Sequence, residues 1–226
     1  MLNSTRSLLL GTRNTGKIHE IKLILGDVAL GDVALGDVAL ELCSLNDFPN
    51  VAVAEENADT YAGNAILKAQ FYARETGIPA LADDSGLEVE ALAGAPGVQS
   101  ARYAGEPKSD ARNNEKLIAA LDGVADRSAH YACVLTLLRH EYDPEPIVAE
   151  GTWHGTVIDT PRGSGGFGYD PYFLDAATGL TAAELPLERK NELSHRGKAI
   201  RALIARLAAL ASDSPLGRNG DGDHDR

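Results

Sequence analysis

Apolar and polar positions along this chain repeat with two different periods, and the switches between them divide it into short strands and helices. Residues 7–11 (SLLLG) are a short continuous apolar run, the mark of a buried strand. After the loop GTRNTGK, Ile18, Ile21, Ile24 and Leu25 recur at helical spacing and predict a helix over 17–25. VALELCSL reads as a second strand, and 46–57 is irregular and carries the adjacent acids Glu55 and Glu56. Residues 60–76 begin on a polar starter and continue in good helix formers around Tyr61, Ala65, Leu67, Ala69 and Tyr72. They end at Gly77, where a helix should stop. Residues 78–82 predict a strand that ends at Asp83, and LEVEAL predicts a separate, alternating strand leading to the Ala95-Pro96-Gly97 turn. A helix over 109–121 has Ser109 or Asp110 as cap and Gly123 as stop. Residues 129–138 and 147–157 predict two long strands, antiparallel neighbours across the turn at 142–146, so the sheet is mixed. The glycine-dense PRGSGGFGYDPYFL then enters another short strand, residues 181–185 make one helical turn stopped by Pro186, and 194–210 form a last helix. Its apolar stripe, Ile200, Leu203, Ile204 and Leu207, is ordinary core packing.

Two segments stand outside this pattern. GDVAL occurs three times in tandem at 26–40. Five-residue units are far shorter than the roughly 20-residue units of a solenoid, so the repeat reads as an expanded surface connection. From Ser212 the chain is polar and glycine-rich, and a disordered tail is expected over 212–226. The 226 residues are enough for one good core or two lobes around a cleft, and the 44% hydrophobic and 24% charged content is ordinary globular usage.

Charge narrows the partners. A formal net charge of −12 argues against broad nucleic-acid binding, although lysines, arginines and a metal could still converge on a small anion. Cys43 and Cys133 sit in apolar contexts without metal-ligand spacing and read as buried thiols. The apolar core of the opening segment is too short for a signal peptide, and no later run approaches a membrane span. The expectation is a soluble cytoplasmic protein.

Candidate chemistry gathers in four places. GTRNTGKI fits the first seven positions of a phosphate loop, GxxxxGK, between a strand and a helix. The eighth should be a metal-ligating hydroxyl and is Ile18, which argues against a P-loop ATPase or kinase. Backbone N–H groups at a helix start and Lys17 can hold phosphate without that hydroxyl. Carboxylates must then supply any Mg²⁺ ligands, and Glu55, Glu56, Asp83 and Asp84 are the candidates, with one left over to take a proton from water. In GSGGFGYDP the glycines around Phe167 let backbone approach a flat ligand while the ring stacks on it, and Asp170 could accept from a ring N–H. Arg189, Lys190, His195, Arg196 and Lys198 cluster around a helix start and could bind an oxo group or phosphate. A non-catalytic nucleotide-binding protein is the other reading of the same residues.

SLLLGTRNTGK, AEENADTYAGNAILKA, ALADDSGLEVEALAGAPGVQSARYAG, GTVIDTPRGSGGFGYDPYFL and AAELPLERKNELSHRGKA, in this order, closely resemble the Ham1-like inosine triphosphate pyrophosphatases. The resemblance runs from about Leu8 to Leu210. It implies an elongated α/β fold of the Ham1/Maf-like kind: a central mixed sheet flanked by helices, two lobes around a substrate cleft, one domain over 1–211, and a homodimer. It implies Mg²⁺-dependent hydrolysis of ITP, dITP and XTP to the monophosphate and pyrophosphate. By resemblance, Thr12, Arg13, Asn14, Thr15, Gly16 and Lys17 form the triphosphate loop, with Lys68 a further phosphate contact. Asp84 is proton acceptor and metal ligand, Glu56 the second ligand, and Ser85 a substrate contact. Phe167, Gly168, Tyr169 and Asp170 form a base pocket with Lys190, His195 and Arg196, the last two donating to a 6-oxo group. Gly63 stands where many relatives have Glu, and the GDVAL expansion is foreign to the pattern.

Overall fold

A computed structural model describes residues 6–27 and 40–212. The GDVAL copies past Asp27 and the expected tail past Ser212 lie outside the described residues. Five helices and six strands follow in the order β1 (Arg6–Leu10), α1 (Thr15–Asp27), β2 (Leu40–Ser44), α2 (Tyr61–Thr76), β3 (Ala80–Val89), α3 (Asp110–Ala120), β4 (Ser128–Leu138), β5 (Ile147–Val157), β6 (Phe173–Leu174), α4 (Leu187–Leu193) and α5 (His195–Ser212). The strands form a mixed sheet in the order β2-β1-β3-β4-β5-β6. β1 pairs in parallel with β2 and β3, and the ladders from β3 through β6 are antiparallel. The expected α/β fold with a mixed sheet between helices is therefore found.

Local chemistry explains several boundaries. Thr60 caps α2 by accepting from the Gly63 N–H, and Gly77 ends it in the left-handed region at φ 68°. Ser109 caps α3 through the Arg112 N–H. Two expectations are corrected. The strand at 78–82 does not end at Asp83, and LEVEAL is not a separate strand: β3 is one ten-residue strand with Asp83 and Asp84 in its middle. Its partner β4 pairs with it without a break from Leu138 to Ala129, and that ladder outweighs the turn propensity of Asp-Asp-Ser-Gly. The basic cluster, expected only around the start of one helix, instead occupies two: α4 precedes α5, and Ser194 separates them in extended conformation.

Successive side chains of β3 point to opposite faces of the sheet. On one face Leu81 joins Cys133, Leu135 and Ala149 beneath α1 and α5, and farther along Leu87 and Val89 join Tyr131, Trp153 and Phe173 against α3. Asp83 and Ser85 lie on that face between the two apolar clusters. On the other face Ala82 packs on Ala69 of α2, whose small side chains admit close approach. β1 pairs with β3 only at Leu9 and Leu10, so the middle of β3 emerges beyond β1 at an open edge. The loop after β1 leads to α1 on one face, while α2 returns to β3 on the other. This is the topological switch point at which open α/β sheets bind ligands.

Gly151 of β5 lets α5 settle on the sheet: a Cβ there would collide with the His195 carbonyl and the Ala199 backbone nitrogen. Gly151→Ala should therefore destabilise the fold by about 1–3 kcal/mol through overpacking, as read by urea denaturation. An unchanged midpoint would mean that α5 is not held at this point.

Candidate active site

Asn14 caps α1 by accepting from the Lys17 N–H at 3.0 Å, and its own N–H donates to Thr12 Oγ1 at 3.1 Å. The loop is thereby closed on itself and Lys17 is aimed at the emerging edge of β3, its Nζ 2.8 Å from Asp83 Oδ2. Arg13 points elsewhere: its guanidinium donates to the carbonyls of Leu45, Phe48 and Val51 and ties the loop to the segment after β2. Ile18 packs against the apolar cluster under α5 and offers no ligand. Asn14 and Thr15 are exposed.

Asp83 and Asp84 serve two different clusters because they point to opposite faces. Asp83 is buried between Lys17 and Arg196, whose terminal nitrogens donate to its Oδ2 at 2.8 and 3.3 Å. Burial alone would raise its pKa, but those two cations overcome it and hold the carboxyl well below the usual range. Ser85 Oγ also accepts from Arg196, at 3.1 Å. On the α2 face, Lys68 Nζ lies 3.1 Å from Asp84 Oδ1 and 2.9 Å from Glu56 Oε1. Asn64 donates to Asp84 Oδ2 at 3.1 Å, and Arg102 donates to Glu56 Oε2 at 3.3 Å. Burial works against both charges, yet attraction prevails: Asp84, with Asp83 and Glu56, raises the Lys68 pKa, and Lys68 lowers that of Glu56. Glu55 is exposed and lines a different surface groove with Val53 and Tyr142.

A cleft opens beside Lys17 and Ser85 and runs to Phe167, Lys190, His195 and Arg196. Phe167 covers it from the glycine-dense loop and rests on Gly16, where any Cβ would strike the ring. Lys190 Nζ and the Arg196 guanidinium lie 5.1 and 5.8 Å from the ring centre, on which they gain cation–π attraction. Asp170 organises the loop: its Oδ2 accepts from the Phe167 N–H at 2.9 Å and from Lys190 at 2.6 Å, and its Oδ1 from Tyr131 at 3.3 Å. Buried and so engaged, Asp170 has little capacity left to accept from a ligand. Gly168 is clamped to α3 by Asp110 and Asn114, and Tyr169 donates to the Ser100 carbonyl.

A family model described as the Ham1 family matches residues 8–206. The chain belongs to the Ham1 family. A relative from Aromatoleum aromaticum named dITP/XTP pyrophosphatase is 50% identical over 204 residues, covering 90% of this chain and 98% of the relative. One of the same name from Ralstonia nicotianae is 49% identical over 205 residues, covering 89% and 96%. The solved structure of a HAM1 protein from Coxiella burnetii superposes with a TM-score of 0.77 at 38% identity, covering 93% of this chain and all of that one.

This Ham1 chain also carries site residues that sequence reading missed. Glu20, buried on α1, accepts from Lys190 at 2.8 Å and also from Arg196, so one carboxylate holds both cations. It lies one turn after Lys17, on the same helix face, and that spacing is its only sequence signal. Asn64, Arg102 and Asn114 had none, since each acts through contacts distant in sequence. Cys133 is a buried thiol with its pKa pushed by burial up to about 12, as its apolar context suggested.

His195 stacks on Tyr131 with ring centres 4.6 Å apart, and its Nδ1 is buried without a partner. Burial first, then Arg196 and Lys190, pull its pKa well below the ordinary 6.5, so the ring is neutral. Unfolded, His195 takes up a proton below 6.5, and the folded protein refuses it until a much lower pH. Its contribution is thus fully present above the unfolded value and is lost on acidification, at up to about 1.4 kcal/mol per pH unit. Urea denaturation at pH 7.5, 6.5 and 5.5 should show this loss, and His195→Asn should flatten it; an equal slope in the variant would acquit His195.

Proposed function

We propose that this Ham1 protein hydrolyses dITP, ITP and XTP to the nucleoside monophosphate and pyrophosphate. The observation that carries the reading is the pair Lys17 and Lys68, set against Asp83 and Asp84 on opposite faces of one open strand edge. The names of relatives about half identical in sequence supply the substrate class. In this reading Thr12 to Lys17 with Lys68 hold the triphosphate, Ser85 contacts the substrate, and the Phe167 to Asp170 loop with Lys190, His195 and Arg196 holds the base. Arg13 acts through the shape of the loop rather than by contact, because its guanidinium is already spent on three carbonyls.

Mg²⁺ is the proposed metal, with Glu56 and Asp84 as its protein ligands. Both are hard oxygen donors, one or two of which suffice when phosphate and water complete the shell. The Lys68 ammonium between them shows that a positive charge is well placed there. Bound at that point, Mg²⁺ would neutralise phosphate oxygens and polarise the phosphorus. Asp84 orients the attacking water and takes its proton, and the α-phosphorus accepts the oxygen. Lys17 and Lys68 stabilise the charge that leaves with pyrophosphate. Phe167 stacks on the purine. Arg196 Nε is a buried donor without a partner, and the neutral His195 has one ring N–H to give. A 6-oxo group meets such donors, whereas the amino group of adenine leaves them unpaired at a cost of about 1–3 kcal/mol. We read the protein as a cytoplasmic homodimer. Among the described residues no helix is long and apolar enough to cross a membrane.

Incubation with ITP, dITP, XTP, GTP or ATP and Mg²⁺ should release pyrophosphate, fastest with the first three. Inorganic phosphate as the sole product, or ATP as the best substrate, would overturn the reading. Asp84→Asn should lower turnover by about 10²–10⁴-fold while calorimetry still detects nucleotide binding; full turnover in that variant removes Asp84 from its role.

A further inference from the structure

The α2 side of the site is closed in an unusual way. All four oxygens of the Glu56 and Asp84 carboxylates are already engaged. Lys68 Nζ takes Glu56 Oε1 at 2.9 Å and Asp84 Oδ1 at 3.1 Å, Arg102 takes Glu56 Oε2 at 3.3 Å, and Asn64 takes Asp84 Oδ2 at 3.1 Å. The Lys68 side chain is only 7% exposed, so its ammonium is buried within this arrangement. Among the described residues no group of three or more His, Cys, Asp or Glu side chains is arranged to hold a metal. A divalent cation coming from solution thus meets two carboxylates whose charge Lys68 and Arg102 together already balance.

We propose that Lys68 is a resident counter-ion that keeps free divalent cations out of the Glu56–Asp84 pair until a triphosphate draws its ammonium away, so that metal and nucleotide enter together. The inference rests on the reading that Glu56 and Asp84 are the metal ligands. An ammonium and a divalent cation cannot share the same two oxygens, because their mutual repulsion at a few ångströms is large in a partly dehydrated site. Lysine suits the exchange, being a point charge on a flexible four-carbon stem whose donors turn readily to new oxygens. Phosphate oxygens offer it anionic partners equivalent to those it leaves, so the swap exchanges one charge-assisted hydrogen-bond set for another. Asn64 and Arg102 stay on the outer oxygens and hold both carboxylates in place while Lys68 moves. The consequence is an ordered reaction: the nucleotide-free protein ignores free metal and does not trap it unproductively.

Mn²⁺ binding followed by electron paramagnetic resonance, with no nucleotide present, tests this without any turnover. The wild-type protein should bind Mn²⁺ weakly alone and tightly once the α,β-methylene analogue of ITP is added. Lys68→Met should bind Mn²⁺ alone about tenfold more tightly or better, since one positive charge within about 4 Å has gone. Lys68→Arg keeps the charge and should stay weak. Tight Mn²⁺ binding by the nucleotide-free wild type, or no tightening in a folded Lys68→Met protein, overturns the proposal. If Lys68→Met does not fold, the wild-type comparison with and without the analogue decides alone. Failure of the hydrolysis reading appears separately, as absence of pyrophosphate from ITP in wild type.

Discussion

The two-residue period of β3, combined with an edge that β1 leaves uncovered, is the constraint on which the site depends. Adjacent aspartates in an extended strand must point to opposite faces. Asp83 therefore turns toward α1 and α5, where Lys17 and Arg196 meet it, and Asp84 turns toward α2, where Lys68 and Asn64 meet it. In a strand paired on both sides, these two clusters would be separated by the thickness of the sheet. Because the β1 ladder stops at Leu10, a ligand can lie against the edge of β3 and reach side chains on both faces at once.

Such an edge is costly to maintain, and the structure shows how it is held. On either side of Asp83 and Ser85 the same sheet face carries an apolar cluster, one under α5 and one under α3, so the polar floor of the cleft is a gap between two cores. The charges in that gap are dense and nearly all are matched: Glu20 binds Lys190 and Arg196, Asp170 binds Lys190, and Asp83 binds Lys17 and Arg196. Each buried charge would be strongly destabilising alone, and the networks make them tolerable.

The glycine-dense loop shows a related economy. Gly166 is in the left-handed region at φ 71°, and a Cβ there would run into the Asp170 carboxylate that receives the Phe167 N–H. The loop is thereby folded around one carboxylate, with Phe167 left over Gly16 of the loop after β1. One ring thus spans the two loops that the proposed substrate would have to join.

Much of the outline was legible in the chain itself. Helical and alternating periods placed most elements, the Thr60 and Gly77 signals bounded α2, and GTRNTGK fell between a strand and a helix as read, because these properties depend on neighbours within a turn or two. The motif order also made the family recognisable. Hidden in the sequence were the continuity of β3, the separation of its two aspartates onto opposite clusters, the diversion of Arg13 to three carbonyls, and the clamp formed by Glu20. Each of these depends on a partner brought from far along the chain: β4 completing the ladder, Lys68 and Lys17 approaching from opposite sides, Lys190 and Arg196 arriving from 170 and 176 residues away. Local composition determines what a segment can become and which chemistry it carries. Which charge meets which is decided only when the packed faces bring distant residues together, since electrostatic pairing depends on distance in space and is indifferent to distance along the chain.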